Sequence, residues 1–259
     1  LNKFKDYYLF SDIDGTMMTD QYEIPKNNLE AISYYLSEGG NLALATGRGL
    51  NISRSIVEDV KPNMPCILSN GGVIYDFKTE ELLFAAYLKE PMLQAIYRLL
   101  GERPDLHGFV WNEHGRFDIS EKTENKTEEL TMYLDEIPRP WLKMVFRVPP
   151  EERLALVARI ESYAIEDITI VSSCEWLIEI HPKGVSKGNA VLWLLDIMKI
   201  KKDAKILVAG DYENDAEMLS LPGVRSFCPD NAPDEIKMLC TDHLCHVNDG
   251  AIAQLISLL

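Results

Sequence analysis

No uninterrupted apolar run in the 259 residues approaches the ~20 needed to span a bilayer, and no charged-then-apolar leader opens the chain. The expectation is a soluble, cytoplasmic protein. Cysteine is sparse. Five residues, an odd number at irregular spacing, exclude a disulfide framework in a chain of this size and suit a reducing cytosol. Cys240, His243, Cys245 and His246 crowd into seven positions without the two separated ligand pairs of a structural zinc site. Basic residues are the minority, 26 Lys and Arg against 41 Asp and Glu, and the formal charge of -15 repels nucleic acid and anionic membranes alike. Internal repeats and low-complexity segments are absent as well. What the chain has is a 46% hydrophobic content, enough to bury a full core in one large domain or two smaller ones.

From Tyr7 to about Asp76, short apolar runs alternate with helical patterns. A strand runs to Ser11, Pro25 opens a helix over Lys26 to Glu38 that Gly39 and Gly40 stop, and the apolar run Asn41 to Ala45 follows. A second helix spans roughly Leu50 to Val60, and Asn70-Gly71-Gly72 turns the chain between Cys66–Ser69 and Val73–Tyr75. This is the rhythm of a parallel α/β sheet. Between about Phe84 and Pro182 the order becomes helix, hairpin, helix, strand, helix, hairpin, which predicts an inserted α+β domain with an antiparallel sheet. The βα pattern resumes at Lys205–Ala209. The boundaries read as 1–83 with 184–259 for the outer domain and 84–183 for the insert, with hinges near Ala85 to Glu90 and His181 to Gly184.

Four separated segments carry the groups that do chemistry. Asp12-Ile13-Asp14-Gly15-Thr16 closes the first strand, and residues two apart converge, so two carboxylates call for a cation or a shared proton. A calcium loop is excluded by its missing later ligands. Thr46-Gly47-Arg48-Gly49 offers a hydroxyl and free amides to a phosphate, although Thr46 alone reads more simply as a helix cap. Lys187 stands at a helix start, where a cation opposes the macrodipole and asks for a carboxylate or an anion nearby, although alone it reads more simply as a solvated surface lysine. Gly210-Asp211-Tyr212-Glu213-Asn214-Asp215 puts acidic groups after a buried strand, one of Asn214 and Asp215 being expected to cap the following helix. In an open α/β sheet all four segments reach one edge.

In this order, Asp12-x-Asp14-Gly15-Thr16, Thr46-Gly47-Arg48, Lys187 and Gly210-Asp211-x-x-Asn214-Asp215 resemble the motifs of the haloacid dehalogenase-like hydrolases, over nearly the whole chain. The position of the insert resembles the C2 cap class. Ser69-Asn70-Gly71-Gly72, Asn231-Ala232-Pro233 and Asp249-Gly250 look like the Cof-type branch, subclass IIB with a C2B cap. The resemblance implies a Rossmann-like parallel-sheet core with an inserted α+β cap, and a Mg²⁺-dependent phosphatase acting on a small phosphorylated metabolite, a sugar phosphate. A phosphomutase of the phosphomannomutase type and a non-catalytic ligand-binding module are the alternatives. Halide displacement is disfavoured, because Asp14 belongs to the phosphate-processing members.

Carried over onto this sequence, the resemblance makes Asp12 the nucleophile of an aspartyl-phosphate mechanism and Asp14 the general acid and then base. It implies that Mg²⁺ is held by Asp12, the Asp14 main-chain carbonyl and Asp211. Thr46, Gly47, Lys187 and Asn214 bind phosphate oxygens, and Asp215 supports Lys187 or metal-bound water. Substrate-contact candidates are Asn70 and Gly71 and, on the two hairpin turns of the insert, Asn112–Gly115 and Ser172–Trp176, the residues Glu113, His114, Arg116, Glu175 and Trp176.

Overall fold

The first strand, β1 (Tyr7–Ser11), is buried at its C-terminal half and runs through the centre of a parallel sheet. The computed structural model describes residues 2–119 and 134–259. From β1 the chain passes through α1 (Lys26–Ser37), β2 (Asn41–Leu44) and α2 (Leu50–Val60). An antiparallel extension follows, made of β3 (Cys66–Leu68), β4 (Val73–Asp76) and β5 (Glu81–Ala85). Next come α3 (Glu90–Glu102), β6 (His107–Asn112), β7 (Gly115–Asp118), β8 (Trp141–Arg147), α4 (Pro150–Glu161), β9 (Ile168–Val171) and β10 (Leu177–Pro182). The chain ends with α5 (Lys187–Ile197), β11 (Lys205–Ala209), α6 (Ala216–Leu219), β12 (Arg225–Cys228), α7 (Asp234–Lys237), β13 (Asp242–His243) and α8 (Ala251–Ser257).

Two compact units result: Leu1–Phe84 with Ser186–Leu259, and Ala85–Val185. In the first, the strand order is β13-β12-β11-β1-β2, all parallel. Its strands are apolar on both faces because helices cover both. Phe10, Ala43 and Val208 pack against Val191, Leu194 and Met218 on one side. The alternate residues Leu9, Leu42, Leu207 and Phe227 are buried as well, and α1 packs against α8. Asn28 ties these layers together, its amide donating to the Met17 carbonyl and its side-chain oxygen accepting from the Ala253 N–H. The order of strands reverses between β1 and β11. Such a switch point opens a crevice at the C-terminal ends of the two strands.

The second unit holds an antiparallel sheet in the order β7-β6-β8-β10-β9. One face carries its core, with Val110, Met144, Phe146, Ile178 and Ile180 against α3 and α4. The other face holds a smaller cluster of Phe109, Trp111 and Val145 with Leu177 packed against it. Among these residues Trp141 is the largest side chain fully buried. The chain enters the unit beside the start of β8, where the Leu88 N–H donates to the Trp141 carbonyl.

One detail departs from the sequence reading and two lie beyond it. Pro25 lies one residue ahead of α1 rather than in its first turn, an extended residue that leads into the helix. The second helix expected in the insert falls for the most part outside the described residues. The two hairpin turns of the insert lie at opposite ends of its sheet: Asn112 pairs with Trp141, whereas Leu177, just after the second turn, pairs with Arg147. Six residues of extended chain separate those ends by about 20 Å. Trp141→Ala should cost about 3–5 kcal/mol, the penalty of deleting a fully buried indole, and chemical denaturation followed by circular dichroism checks it.

Candidate active site

The residues that close β1, β2 and β11 project into the crevice at the switch point. In-register pairing sets their level: the Asp12 N–H donates to the Ala209 carbonyl and the Ala45 N–H to that of Ser11. Asp12 therefore follows β1 at the height where Gly210 follows β11. Past Asp12 the chain turns sharply at Gly15, whose φ of 73° belongs to the left-handed region and whose missing side chain leaves room for the Asp211 carboxylate. The next residue fixes that carboxylate, the Thr16 hydroxyl donating to Asp211 Oδ1 at 3.0 Å. Asn231 holds the loop from outside, its amide donating to the Gly15 carbonyl.

Lys187 is the first residue of α5 and is fully buried. Its ammonium lies 2.8 Å from Asp12 Oδ1 and 2.7 Å from Asp215 Oδ1. A cation at a helix N-terminus is unfavourable by itself, and here two carboxylates compensate it. Burial opposes the charge on Lys187, but Asp12 and Asp215 outweigh burial and hold its pKa above the ordinary lysine value. The second oxygen of Asp215 accepts from the N–H groups of Asp211 and Tyr212 at 3.0 and 3.2 Å. Asp215 is thus committed on both oxygens. It clamps its own loop rather than capping α6 through a side-chain hydrogen bond.

Negative charge exceeds positive charge around this lysine. Burial raises Asp12 to about 7, against the attraction of Lys187 and with further repulsion from Asp215 and Asp14. Burial likewise drives Asp211 well above the usual carboxylate range, reinforced by Asp12 and Asp215. One ligand oxygen from each of Asp12, Asp211 and Asp215 lies within 4.8 Å of the others. An all-oxygen donor set with surplus negative charge fits a hard divalent cation. With Asp215 engaged by Lys187 and two amides, Asp12 and Asp211 are the carboxylates best able to take one. The Asp14 carboxylate points elsewhere: Arg48 grips it with Nε and Nη2 at 2.8 and 2.5 Å, and its side chain is 48% exposed.

The loop after β2 forms the neighbouring wall. Thr46 is buried, but it does not cap α2, whose N-cap position is Gly49; its hydroxyl accepts from the Arg48 N–H inside the loop. That corrects the simpler reading of Thr46, since α2 starts three residues later than a Thr46 cap requires. Gly47 abuts the Asn70 side chain closely enough that a Cβ would press on it. Asn70 adopts a left-handed conformation, and its Oδ1 accepts from the Asn214 amide at 3.0 Å. The Asn214 Oδ1 is buried without a partner among the described residues. Gly71 serves packing, because any side chain there would strike the Ser186 carbonyl at the head of α5.

Asp12, Asp211, Asp215, Lys187, Thr46, Gly47, Asn70 and Asn214 therefore share one sheet edge, with Asp14 beside them on Arg48. The candidates on the insert do not form one group. Glu113 is bonded to the Tyr87 hydroxyl, and His114 contributes a main-chain N–H to Asn112 at the turn end of β6. Arg116 pairs with Asp118 and stacks 4.1 Å from the Phe109 ring centre. Arg116 and Trp176 line a common cavity, while Glu175 is exposed on the turn and does not line it. Sequence reasoning assigned no role to Thr16, Arg48 or Asn231. Their hydroxyl, guanidinium and amide stand inside or near recognised motifs, so the signal was present without a geometry to interpret it. It also overlooked the buried group Lys143, Glu179 and His181, in which Glu179 accepts from Lys143 and lies 3.4 Å from His181 Nε2.

Residues 9–256 match the family model of the haloacid dehalogenase-like hydrolases, and the chain belongs to that family. It is 26% identical over 261 residues to a "Putative phosphatase" of Streptococcus pyogenes, covering 95% of each chain. Against the "Putative phosphatase YxeH" of Bacillus subtilis the identity is 27% over 225 residues, with 82% and 83% covered. Among solved structures, a haloacid dehalogenase-like hydrolase from Bacteroides thetaiotaomicron superposes with a TM-score of 0.81 at 18% identity, covering 97% of this chain and 99% of that one. The subclass IIB sugar phosphatase BT4131 gives 0.78 at 18% identity, covering 97% and 98%. At these identities the structural likeness speaks for the fold.

The raised carboxyls give the site a pH signature. The folded state holds protons on Asp12 and Asp211 more tightly than the unfolded chain does. The stability that Asp12 contributes is complete below about pH 4 and is lost as the pH rises through about 7, and Asp211, raised as well, adds a loss of the same sign. Metal-free protein should lose on the order of 5–10 °C in Tm between pH 5 and pH 8. A divalent cation should restore more at pH 8 than at pH 5, because it competes with protons for the same oxygens. Asp211→Asn should flatten both effects in a thermal melt run with EDTA or with cation; equal cation shifts at the two pH values would contradict the assignment.

Proposed function

We propose that this protein is a Mg²⁺-dependent phosphatase of the cytoplasm that hydrolyses a small phosphorylated metabolite, a sugar phosphate, through an aspartyl-phosphate intermediate. The observation that carries the reading is the buried ammonium of Lys187 bridging Asp12 and Asp215 beside an uncompensated Asp211. Membership of a hydrolase family and relatives named as phosphatases support it. The name of the sugar phosphatase BT4131 supports the substrate class. Unpaired cysteines agree with a reducing compartment, and among the described residues no helix is long and apolar enough to cross a membrane.

In this reading residues 1–83 and 184–259 form the catalytic core, and 84–183 select the leaving group. An Asp12 oxygen attacks phosphorus, the ester P–O bond breaks, and the leaving alkoxide takes the proton of the Asp14 carboxyl. Asp14, now a carboxylate, removes a proton from water whose oxygen attacks the phosphorus. The P–O bond to Asp12 then breaks and inorganic phosphate leaves. Lys187 favours the charged, attacking form of Asp12 against burial and faces the phosphoryl oxygens together with the Thr46 hydroxyl, the Gly47 amide and Asn214. Mg²⁺, held by Asp12, Asp211 and the Asp14 carbonyl, supplies the positive charge that lets one anion approach another. Asp215 keeps Lys187 in place.

Phosphate release from a panel of sugar phosphates and p-nitrophenyl phosphate tests the reading. Wild type should require Mg²⁺ and stop with EDTA, and Asp12→Asn should lose at least about 10³-fold, as expected when a nucleophile is removed. Release that is indifferent to Asp12 would overturn it. Asp14→Asn should give a burst of about one p-nitrophenol per enzyme followed by slow phosphate release, because a good leaving group needs no acid while the second step still needs a base. Stopped-flow absorbance reads that burst, and equal slowing of both phases would exclude the role given to Asp14.

A further inference from the structure

At the end of the insert's sheet remote from the entering chain lies a cavity of about 570 Å³, within the range of small-molecule sites. It is formed by the start of β6, the end of β7, and the junction of β8 with α4, and Trp176 closes one side. The Val148 N–H donates to the Trp176 carbonyl at 3.0 Å, which fixes the backbone under the indole. Trp176 is 53% exposed, so its ring is open to a ligand on the cavity side. A second planar face stands in the same cavity: the Arg116 guanidinium, neutralised by Asp118 and stacked on Phe109. Arg147 differs. It is exposed, lines the cavity, and its side chain makes no ion pair or hydrogen bond among the described residues.

Among the described residues the charged lining is thus two arginines against one aspartate, with His107 beside them, in a chain of formal charge -15. A cationic or purely apolar ligand does not fit that balance. Two planar faces suit an aromatic ring, and a single uncommitted guanidinium suits one phosphate rather than a chain of them. We propose that this cavity binds a nucleoside monophosphate, the base stacking on Trp176 and Arg116 and the phosphate pairing with Arg147. The assignment stands apart from the reading of the core, since every residue in it belongs to the inserted unit.

Isothermal titration with each of the four ribonucleoside 5′-monophosphates, in EDTA to prevent turnover, tests it. At least one should bind. Arg147→Ala should weaken that nucleotide about tenfold or more while leaving the weaker binding of its nucleoside unchanged, as expected for loss of a charge-assisted phosphate contact. Trp176→Ala should weaken nucleotide and nucleoside alike, and both side chains are exposed enough to be removed without unfolding, which circular dichroism verifies. No binding of any of the four overturns the proposal. So does binding that neither variant changes, which would locate the nucleotide elsewhere, or binding of ribose 5-phosphate as tight as that of the nucleotide.

Discussion

A lysine ammonium sealed between two carboxylates governs the arrangement of the parallel-sheet unit. Removing one partner from a buried pair of this kind costs about 3–5 kcal/mol, because the remaining charge is stranded without water. Lys187 therefore binds the end of β1, through Asp12, to the loop after β11, through Asp215, and to the head of α5 on which it stands. Asp215 extends the constraint by accepting from two amides of its own loop, and Gly210 must lack a side chain to let that carboxylate in. The cluster nevertheless remains acidic, since Lys187 cannot neutralise Asp12, Asp211 and Asp215 together. The surplus is a cost in the metal-free protein and fits the cluster to hold a cation.

The parallel sheet makes this meeting possible. Segments nearly two hundred residues apart in sequence become neighbours because β1 and β11 pair residue for residue and both end at the point where strand order reverses. Each contributes its carboxylate at or just past the last ladder hydrogen bond, where the backbone is free to turn and the strand interior no longer excludes charge. The insertion of a whole unit between β5 and α5 leaves this register untouched.

Much of this was legible in the sequence. The apolar runs ending in Asp12, Thr46 and Asp211 identified strand ends, Gly39 identified a helix stop that the structure has at φ 85°, and Lys187 at a helix start announced a need for carboxylates that Asp12 and Asp215 meet. What stayed hidden depended on side-chain direction and register. The second helix was expected from about Leu50, where it begins, yet Thr46 still read as a cap because local spacing does not show that its hydroxyl accepts from the Arg48 N–H inside the loop. The two hairpin turns of the insert read as equivalent, since strand order within an antiparallel sheet is invisible until the pairing is known. In β8, Lys143 sits in an otherwise apolar stretch and becomes buried against Glu179 of β10, which lies opposite Val145, a diagonal contact set by register and not by composition.

The two aspartates of the first motif, one residue apart from adjacency, occupy opposite environments. Asp12 is buried on Lys187, whereas Asp14 is half exposed with both oxygens on Arg48. The proposed reaction needs this division, because a nucleophile and a proton donor of the same chemical type must be separated by their surroundings. It also sets a condition on the Arg48 fork. While both Asp14 oxygens accept from the guanidinium, neither is directed at a leaving group, so proton delivery requires at least one of the two hydrogen bonds to open. Tyr22, whose ring lies 5.8 Å from the Arg48 guanidinium, is exposed on that side. A substrate that displaced Arg48 from one oxygen would gain a phosphate-binding guanidinium and free the acid in the same movement, coupling recognition to the proton transfer that follows it.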